Sequence, residues 1–84
     1  MIKDRILKDY ELTEYADKVV RIFFDNKSDN FSYVSYRLCE NFAIIYLNGF
    51  MSITDEFSIF HQNCLEIRNH IIAMQKVKDN LVIK

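Results

Sequence analysis

The chain has 84 residues and contains no proline, no tryptophan and a single glycine, Gly49. Because proline and glycine interrupt regular structure most often, their scarcity predicts long helices or strands with few special turns. One glycine also excludes the glycine-rich loops that hold phosphate groups, and the common hydrolase and metalloprotease motifs are missing from the sequence. We therefore expect a protein that is not an enzyme and needs no cofactor.

The chain is also poor in cysteine, in long apolar runs and in charge of one sign. Cys39 and Cys64 are too few for the disulfide framework of a small secreted domain. The sequence has no run of about 18 apolar residues, and its charged N-terminus does not resemble a signal peptide. Lysine and arginine number 11 against 12 aspartate and glutamate residues, so there is no electrostatic reason to expect nucleic acid. We expect a cytoplasmic protein without a membrane partner.

Apolar and aromatic residues are abundant for so short a chain. They make up 50% and 14% of the sequence, respectively, which argues against disorder. A chain of this length forms one domain, here residues 1–84, and it buries only about 60–65% of its unfolded surface. Such a core is marginal, and sharing it with a second chain would stabilise it.

The first half of the chain predicts helices followed by a β-hairpin. Ile2, Ile6 and Tyr10 are spaced as on one helix face, and Thr13 is a candidate N-cap for a second helix that ends near residue 24. The sequence leaves open whether these are one helix or two. Residues 25–30 are polar and predict a loop. Residues 31–39 alternate like a half-buried strand, residues 42–47 resemble a central strand, and residues 40–41 would form the turn between them.

The most regular pattern lies between residues 53 and 74, where apolar residues alternate at spacings of four and three. This long-helix stripe consists of Ile53, Phe57, Phe60, Cys64, Ile67, Ile71 and Met74. The spacing predicts one face of an α-helix. With hydroxyl groups at Ser52 and Thr54 for capping, we expect a helix from Thr54 to about Lys78, on the order of 37 Å long.

These elements predict an α+β fold. We expect a small single domain with N-terminal helices, a β-hairpin and a long C-terminal helix, in the order α-β-β-α. Residues 81–83 are candidates for a short terminal strand. Asn48 and Gly49 are expected to close the hairpin before the long helix begins.

The long helix also predicts a homodimer. An isolated hairpin is marginally stable in water, and the stripe keeps coiled-coil spacing over about three heptads. Leu65 and Ile72 lie seven residues apart on a second line, which would suit a second chain. The predicted interface residues are Phe60, Cys64, Leu65, Ile67, Ile71, Ile72 and Met74. The alternative is that the stripe is only internal core.

The function predicted from these features is regulation or inhibition by protein binding. We expect the protein to dock on a larger protein target and to be encoded by a phage or another mobile element. Exposed aromatic residues are frequent anchors of such interfaces, and we expect Tyr33 and Phe50 to bind the target.

Two other functions are weighed against this one. A nucleic-acid-associated regulator would stack bases on aromatic and basic residues of the hairpin, with further basic residues near the N-terminus; the residues concerned are Tyr33, Tyr36, Arg37, Phe42, Tyr46, Lys3, Arg5 and Lys8. A thiol- or zinc-dependent enzyme would use His61, Cys64, His70 and Cys39. However, Cys64 lies in the middle of the apolar stripe, where cysteine acts as a small hydrophobic residue.

Overall fold

The computed structural model describes residues 5–23 and 33–82, and these residues form three α-helices. Helix α1 spans Asp9–Ile22, α2 spans Tyr33–Ile53 and α3 spans Ile59–Val82. Each helix packs against the other two. Among the described residues, no helix combines the length and the apolar character that a membrane crossing requires.

The prediction of an α+β fold with a hairpin is wrong. Two strands were predicted, at residues 31–39 and 42–47. Residues 33–39 of the first and all of the second belong to the single helix α2, and so do the predicted turns at residues 40–41 and 48–49. Leu81 and Val82, predicted as part of a terminal strand, lie in the last turn of α3. The described part of the chain is an all-α domain without strands. Residues 25–30, predicted to form a loop, are outside the described residues.

Helix α2 forms because a 3.6-residue period underlies the alternation that suggested strands. Its buried or half-buried residues include Tyr36, Cys39, Ala43, Leu47 and Phe50, which are spaced by three or four. Such spacing places them on one side of a helix. Helix packing therefore overrides the strand preference of the β-branched and aromatic residues in this segment, which is a weak and context-dependent preference.

Helix α1 continues without a break through Thr13, where the sequence suggested the start of a second helix. It begins after Lys8, whose backbone N–H donates to Glu11 Oε1 at 3.2 Å. Arg5 holds the same carboxylate with two hydrogen bonds of 2.7 and 2.8 Å. Thr13 lies inside the helix instead of capping it. Ile6 and Tyr10, predicted on a packed face, are exposed.

Helix α3 begins five residues later than predicted. Ser58 precedes it, and the Ser58 Oγ accepts a hydrogen bond of 3.1 Å from the backbone N–H of His61, which is an N-cap. Ile53 ends α2, and residues 54–58 connect the two helices. The long-helix stripe is therefore divided: Ile53 and Phe57 lie outside α3, whereas its middle members face inward.

The core lies between the three helices. Residues from each helix contribute, together with Leu7 from the segment before α1; the buried apolar residues are Leu7, Tyr15, Ala16, Val19, Val20, Cys39, Ala43, Leu47, Cys64, Ile67 and Ile71. A row of aromatic rings borders this core. Phe23 contacts Tyr46, Tyr46 contacts Phe50, and Phe50 contacts Phe60 on α3, with ring centroids between 4.6 and 5.5 Å apart.

A buried asparagine fixes the N-terminal segment on α3. The Asn63 side chain is almost fully buried. Its Oδ1 accepts a hydrogen bond of 3.1 Å from the Leu7 backbone N–H, and its Nδ2 donates one of 2.7 Å to the Arg5 carbonyl. Both partners are backbone groups that need a hydrogen bond once they are buried. Asn63 therefore holds Leu7 in the core.

Replacing this side chain should destabilise the fold. We expect Asn63→Ala to lower the free energy of unfolding by about 1–3 kcal/mol, because two backbone groups lose their partner. Asn69→Ala, at an exposed position of the same helix, should change it by no more than about 0.5 kcal/mol. Urea denaturation followed by circular dichroism measures both values. Equal stability of the two variants would show that Asn63 does not hold the segment.

Candidate functional site

The connection between α2 and α3 presents two large apolar residues to solvent. Ile53, at the end of α2, is 79% exposed, and Phe57, in the connecting turn, is 84% exposed. We call these two residues the tip. Phenylalanine is the kind of side chain that anchors protein interfaces, because it buries a large apolar area on binding.

The turn that carries Phe57 is held by its own hydrogen bonds. The Phe57 backbone N–H donates to Asp55 Oδ1 at 2.9 Å. The Ser58 backbone N–H and the Ser58 hydroxyl donate to the Asp55 carbonyl at 2.9 and 2.8 Å. Because Ser58 also caps α3, the turn continues directly into the helix.

The two sides of the turn are tied to the helices. On the α2 side, the Thr54 hydroxyl donates to the Phe50 carbonyl at 2.9 Å, and its Oγ1 lies 3.1 Å from Nδ1 of His61 on α3. On the α3 side, Gln62 Nε2 donates to the Glu56 carbonyl at 2.8 Å. The backbone beneath Phe57 is thus ordered before any partner arrives, which lowers the entropic cost of binding.

A second apolar surface covers the side of α2 that faces away from the core. We call it the α2 outer face, and its exposed residues are Leu38, Asn41, Phe42, Ile45, Asn48, Gly49 and Ser52. It contains no charged residue, since the only charges in α2 belong to Arg37 and Glu40. Glu40 is buried on the opposite side. An uncharged outer face is unusual for a helix at the surface of a globular protein.

A cleft of about 400 Å³ lies where the three helices meet. Its floor includes the apolar residues Val20 and Ile71, and polar side chains form its rim. On the rim, Thr13 Oγ1 and His70 Nε2 are 3.3 Å apart in an exposed hydrogen bond. We assign to this pair the structural role of joining α1 to α3.

Beside the cleft, a buried carboxylate joins α2 to α3. The Glu40 side chain is 4% exposed; its Oε2 lies 3.1 Å from Lys78 Nζ, and its Oε1 lies 3.6 Å from Arg37 Nε. Arg37 also pairs with Asp79. Lys78 Nζ sits 4.4 Å from the centre of the Tyr36 ring, and burial raises the pKa of the Tyr36 phenol, with Lys78 opposing the shift. The basic groups here are engaged within the chain.

The two cysteines are buried and remain thiols. Burial raises the pKa of Cys64, and a raised pKa disfavours the thiolate that a nucleophile or a zinc ligand needs. The Cys39 Sγ lies 3.3 Å from the Phe23 carbonyl, to which it donates. Among the described residues, no three histidine, cysteine or acidic side chains are grouped so as to hold a metal ion. The structure does not bring Cys39, His61, Cys64 and His70 together as such a group.

The predicted dimer interface divides into buried and accessible residues. Cys64, Ile67 and Ile71 are buried in the core of the chain itself, and Phe60 is half-buried against it. Met74 is partly exposed. Leu65 and Ile72 are half-buried. They share a flank of α3 with Arg68 and Gln75, which donate hydrogen bonds to Asn48 and Asn41 of α2 at 2.9 and 3.1 Å. Leu65 and Ile72 therefore lie next to the α2 outer face.

The predicted target-binding residues have different positions. Phe50 is half-buried, because its ring packs between those of Tyr46 and Phe60. Tyr33 is the first residue of α2, and its side chain is outside the described part of the structure.

Sequence reasoning missed Phe57 as a surface residue because it continued the helical spacing of α3. Asp55 and Ser58, two residues that favour turns and caps, are the signal that locates it correctly.

The hairpin surface on which the nucleic-acid alternative depends is not formed, because the segment predicted as a hairpin is part of α2. Arg37 is engaged by Asp79, and the Tyr46 ring packs against Phe23. Arg5 is paired with Glu11.

Comparison with protein-family models, curated proteins and solved structures finds no match to this chain.

The burial of both thiols makes a prediction about their reactivity. At pH 8 we expect a disulfide reagent such as DTNB to label Cys39 and Cys64 of the native protein no faster than the chain unfolds, because labelling requires an accessible thiolate. In urea, both thiols should react at once.

Ser52→Cys supplies the control, because Ser52 is exposed on α2. This variant should gain one thiol that reacts immediately without unfolding. Immediate labelling of Cys64 in the native protein would contradict the burial described here and would restore the thiol-enzyme hypothesis.

Proposed function

We propose that this protein is a non-enzymatic regulatory or inhibitory protein that acts by docking its tip on a larger protein. The exposure of Phe57 on a hydrogen-bonded turn is the observation that carries the proposal. Leaving a phenylalanine in water stabilises nothing in the free chain. Inserting it into a pocket of a partner would bury most of its surface and would gain about 1.5–3 kcal/mol.

The surroundings of the tip support binding rather than catalysis. Ile53 provides a second apolar side chain close by in sequence, and the aromatic contact between Phe50 and Phe60 supports the base of the turn. Asp55 and Glu56 are exposed beside Phe57 and would form the polar rim that surrounds most anchors. The larger protein would therefore offer an apolar pocket with basic or polar groups around its opening.

The cellular setting is part of the same proposal. Free, buried thiols at Cys39 and Cys64 suit a reducing compartment, and we place the protein in the cytoplasm. We retain from the composition the hypothesis that a phage or mobile element encodes it.

Photo-crosslinking tests the docking surface. With benzoylphenylalanine at position 57, we expect crosslinking in the native host to yield one discrete adduct with a larger protein. Excess wild-type protein should compete with the adduct, whereas excess Phe57→Asp should not. Because the Phe57 side chain is exposed, this substitution should leave the free energy of unfolding within about 0.5 kcal/mol of wild type.

Tyr10 supplies a matched control position, since it is an aromatic residue that is 71% exposed on α1. Benzoylphenylalanine at position 10 should not give the same adduct. The proposal would be overturned if positions 57 and 10 gave identical adducts, or if no adduct depended on Phe57.

A further inference from the structure

The α2 outer face differs from the other exposed helix surfaces in having no charge. Helix α1 exposes the ion pairs of Glu14 with Lys18 and of Asp17 with Arg21. The outer face of α2 instead exposes Leu38, Phe42 and Ile45 at 52%, 46% and 65% of their surface. These residues follow one another at spacings of four and three along one line of the helix.

Gly49 lies on the same line, one turn after Ile45, and none of the described residues requires a glycine there. It is inside α2, where glycine weakens a helix relative to alanine. It does not have a positive φ, so its backbone conformation is open to any residue. A Cβ atom built on it would meet nothing within 4 Å. The missing side chain therefore leaves a notch that opens to solvent.

We propose that the α2 outer face binds a second copy of this chain, with the two α2 helices antiparallel across a twofold axis. In an isologous interface, every contact occurs twice: if a first residue of one copy contacts a second residue of the other, the second residue of the first copy contacts the first residue of the other. A twofold axis midway between residues 45 and 49 places each Ile45 in the notch at the partner's Gly49. The knob and the notch are both on one chain, so the surface is complementary to itself.

The absence of charge favours a second copy over another partner. Two identical charged faces would bring like charges together, whereas the α2 outer face itself carries no charged residue. Arg68 of α3 lies at its border, where its guanidinium group donates a hydrogen bond to Asn48. The amides of Asn41 and Asn48 lie along one border, where they can form polar contacts at the rim.

The available area suits a reversible dimer. With the axis between residues 45 and 49, Leu38 lies beyond the end of the partner's α2, so we leave it out of the buried area. The rest of the α2 outer face, together with the adjoining Leu65 and Ile72, offers on the order of 500 Å² per chain, so two copies bury roughly 1,000 Å². Interfaces of this size are typical of weak, reversible association. The predicted homodimer thus forms through α2 and the flank of α3, whereas Cys64, Ile67 and Ile71 stay in the core.

Sedimentation equilibrium from micromolar to millimolar protein tests the proposal. Wild type should pass from monomer to dimer over this range. Gly49→Ala fills the notch and should raise the dissociation constant about tenfold or more, while raising the midpoint of thermal unfolding, because alanine favours the helix. Opposite effects on association and on stability distinguish a lost interface from a damaged fold.

Ile45→Asp should abolish dimerisation and keep the helical circular dichroism spectrum, because the side chain is exposed. Val77→Asp is the matched control, since Val77 is 50% exposed on α3 and is not part of the proposed interface; it should dimerise like wild type. A wild-type chain that stays monomeric throughout overturns the proposal, and so does a dimer that Gly49→Ala and Ile45→Asp leave intact. Phe57→Asp should still dimerise, so this test and that of the tip fail independently.

Discussion

The structure depends on one constraint: α2 carries large apolar residues on its outer side as well as on its inner side, and two other helices can cover only the inner side. A helix that is hydrophobic all round is normally buried. Here α1 and α3 cover the side that carries Ala43 and Leu47, and the two charged residues of α2 join the contact with α3 through the ion pairs of Glu40 and Arg37. The outer face stays in water, and its apolar surface is what a small three-helix domain cannot bury alone.

The two apolar surfaces serve different purposes in this account. The α2 outer face is uncharged and has a notch at Gly49, which suits a second copy of the same chain. The tip projects Phe57 from a short turn with fixed hydrogen bonds, which suits a pocket on a different protein. A dimer through α2 would carry two tips, so a target with two pockets would be bound more tightly than a single tip allows.

The sequence predicted the helical character of the N-terminal and C-terminal segments but not that of the middle. The spacing of Cys64, Ile67 and Ile71 predicted their common helix face, because a 3.6-residue period over several turns has few alternatives. In α2 the short alternation around Tyr36 and the run at residues 42–47 fitted strands equally well, and only packing against two helices decides between them. The exposure of Phe57 was missed for a related reason: its spacing matched α3, although α3 begins only after its N-cap at Ser58, and Phe57 precedes that cap.

The central claim is that residues 33–53 form one unbroken helix with one face in the core and the other in solvent. Nuclear magnetic resonance tests it most directly, by backbone chemical shifts combined with amide hydrogen exchange across this segment. The account predicts helical Cα shifts from Tyr33 through Ile53, including Asn48 and Gly49, and slow exchange centred on Ala43 and Leu47. Strand-like shifts at residues 33–39 and 42–47, with a break at residues 40–41, would contradict the account and restore the hairpin.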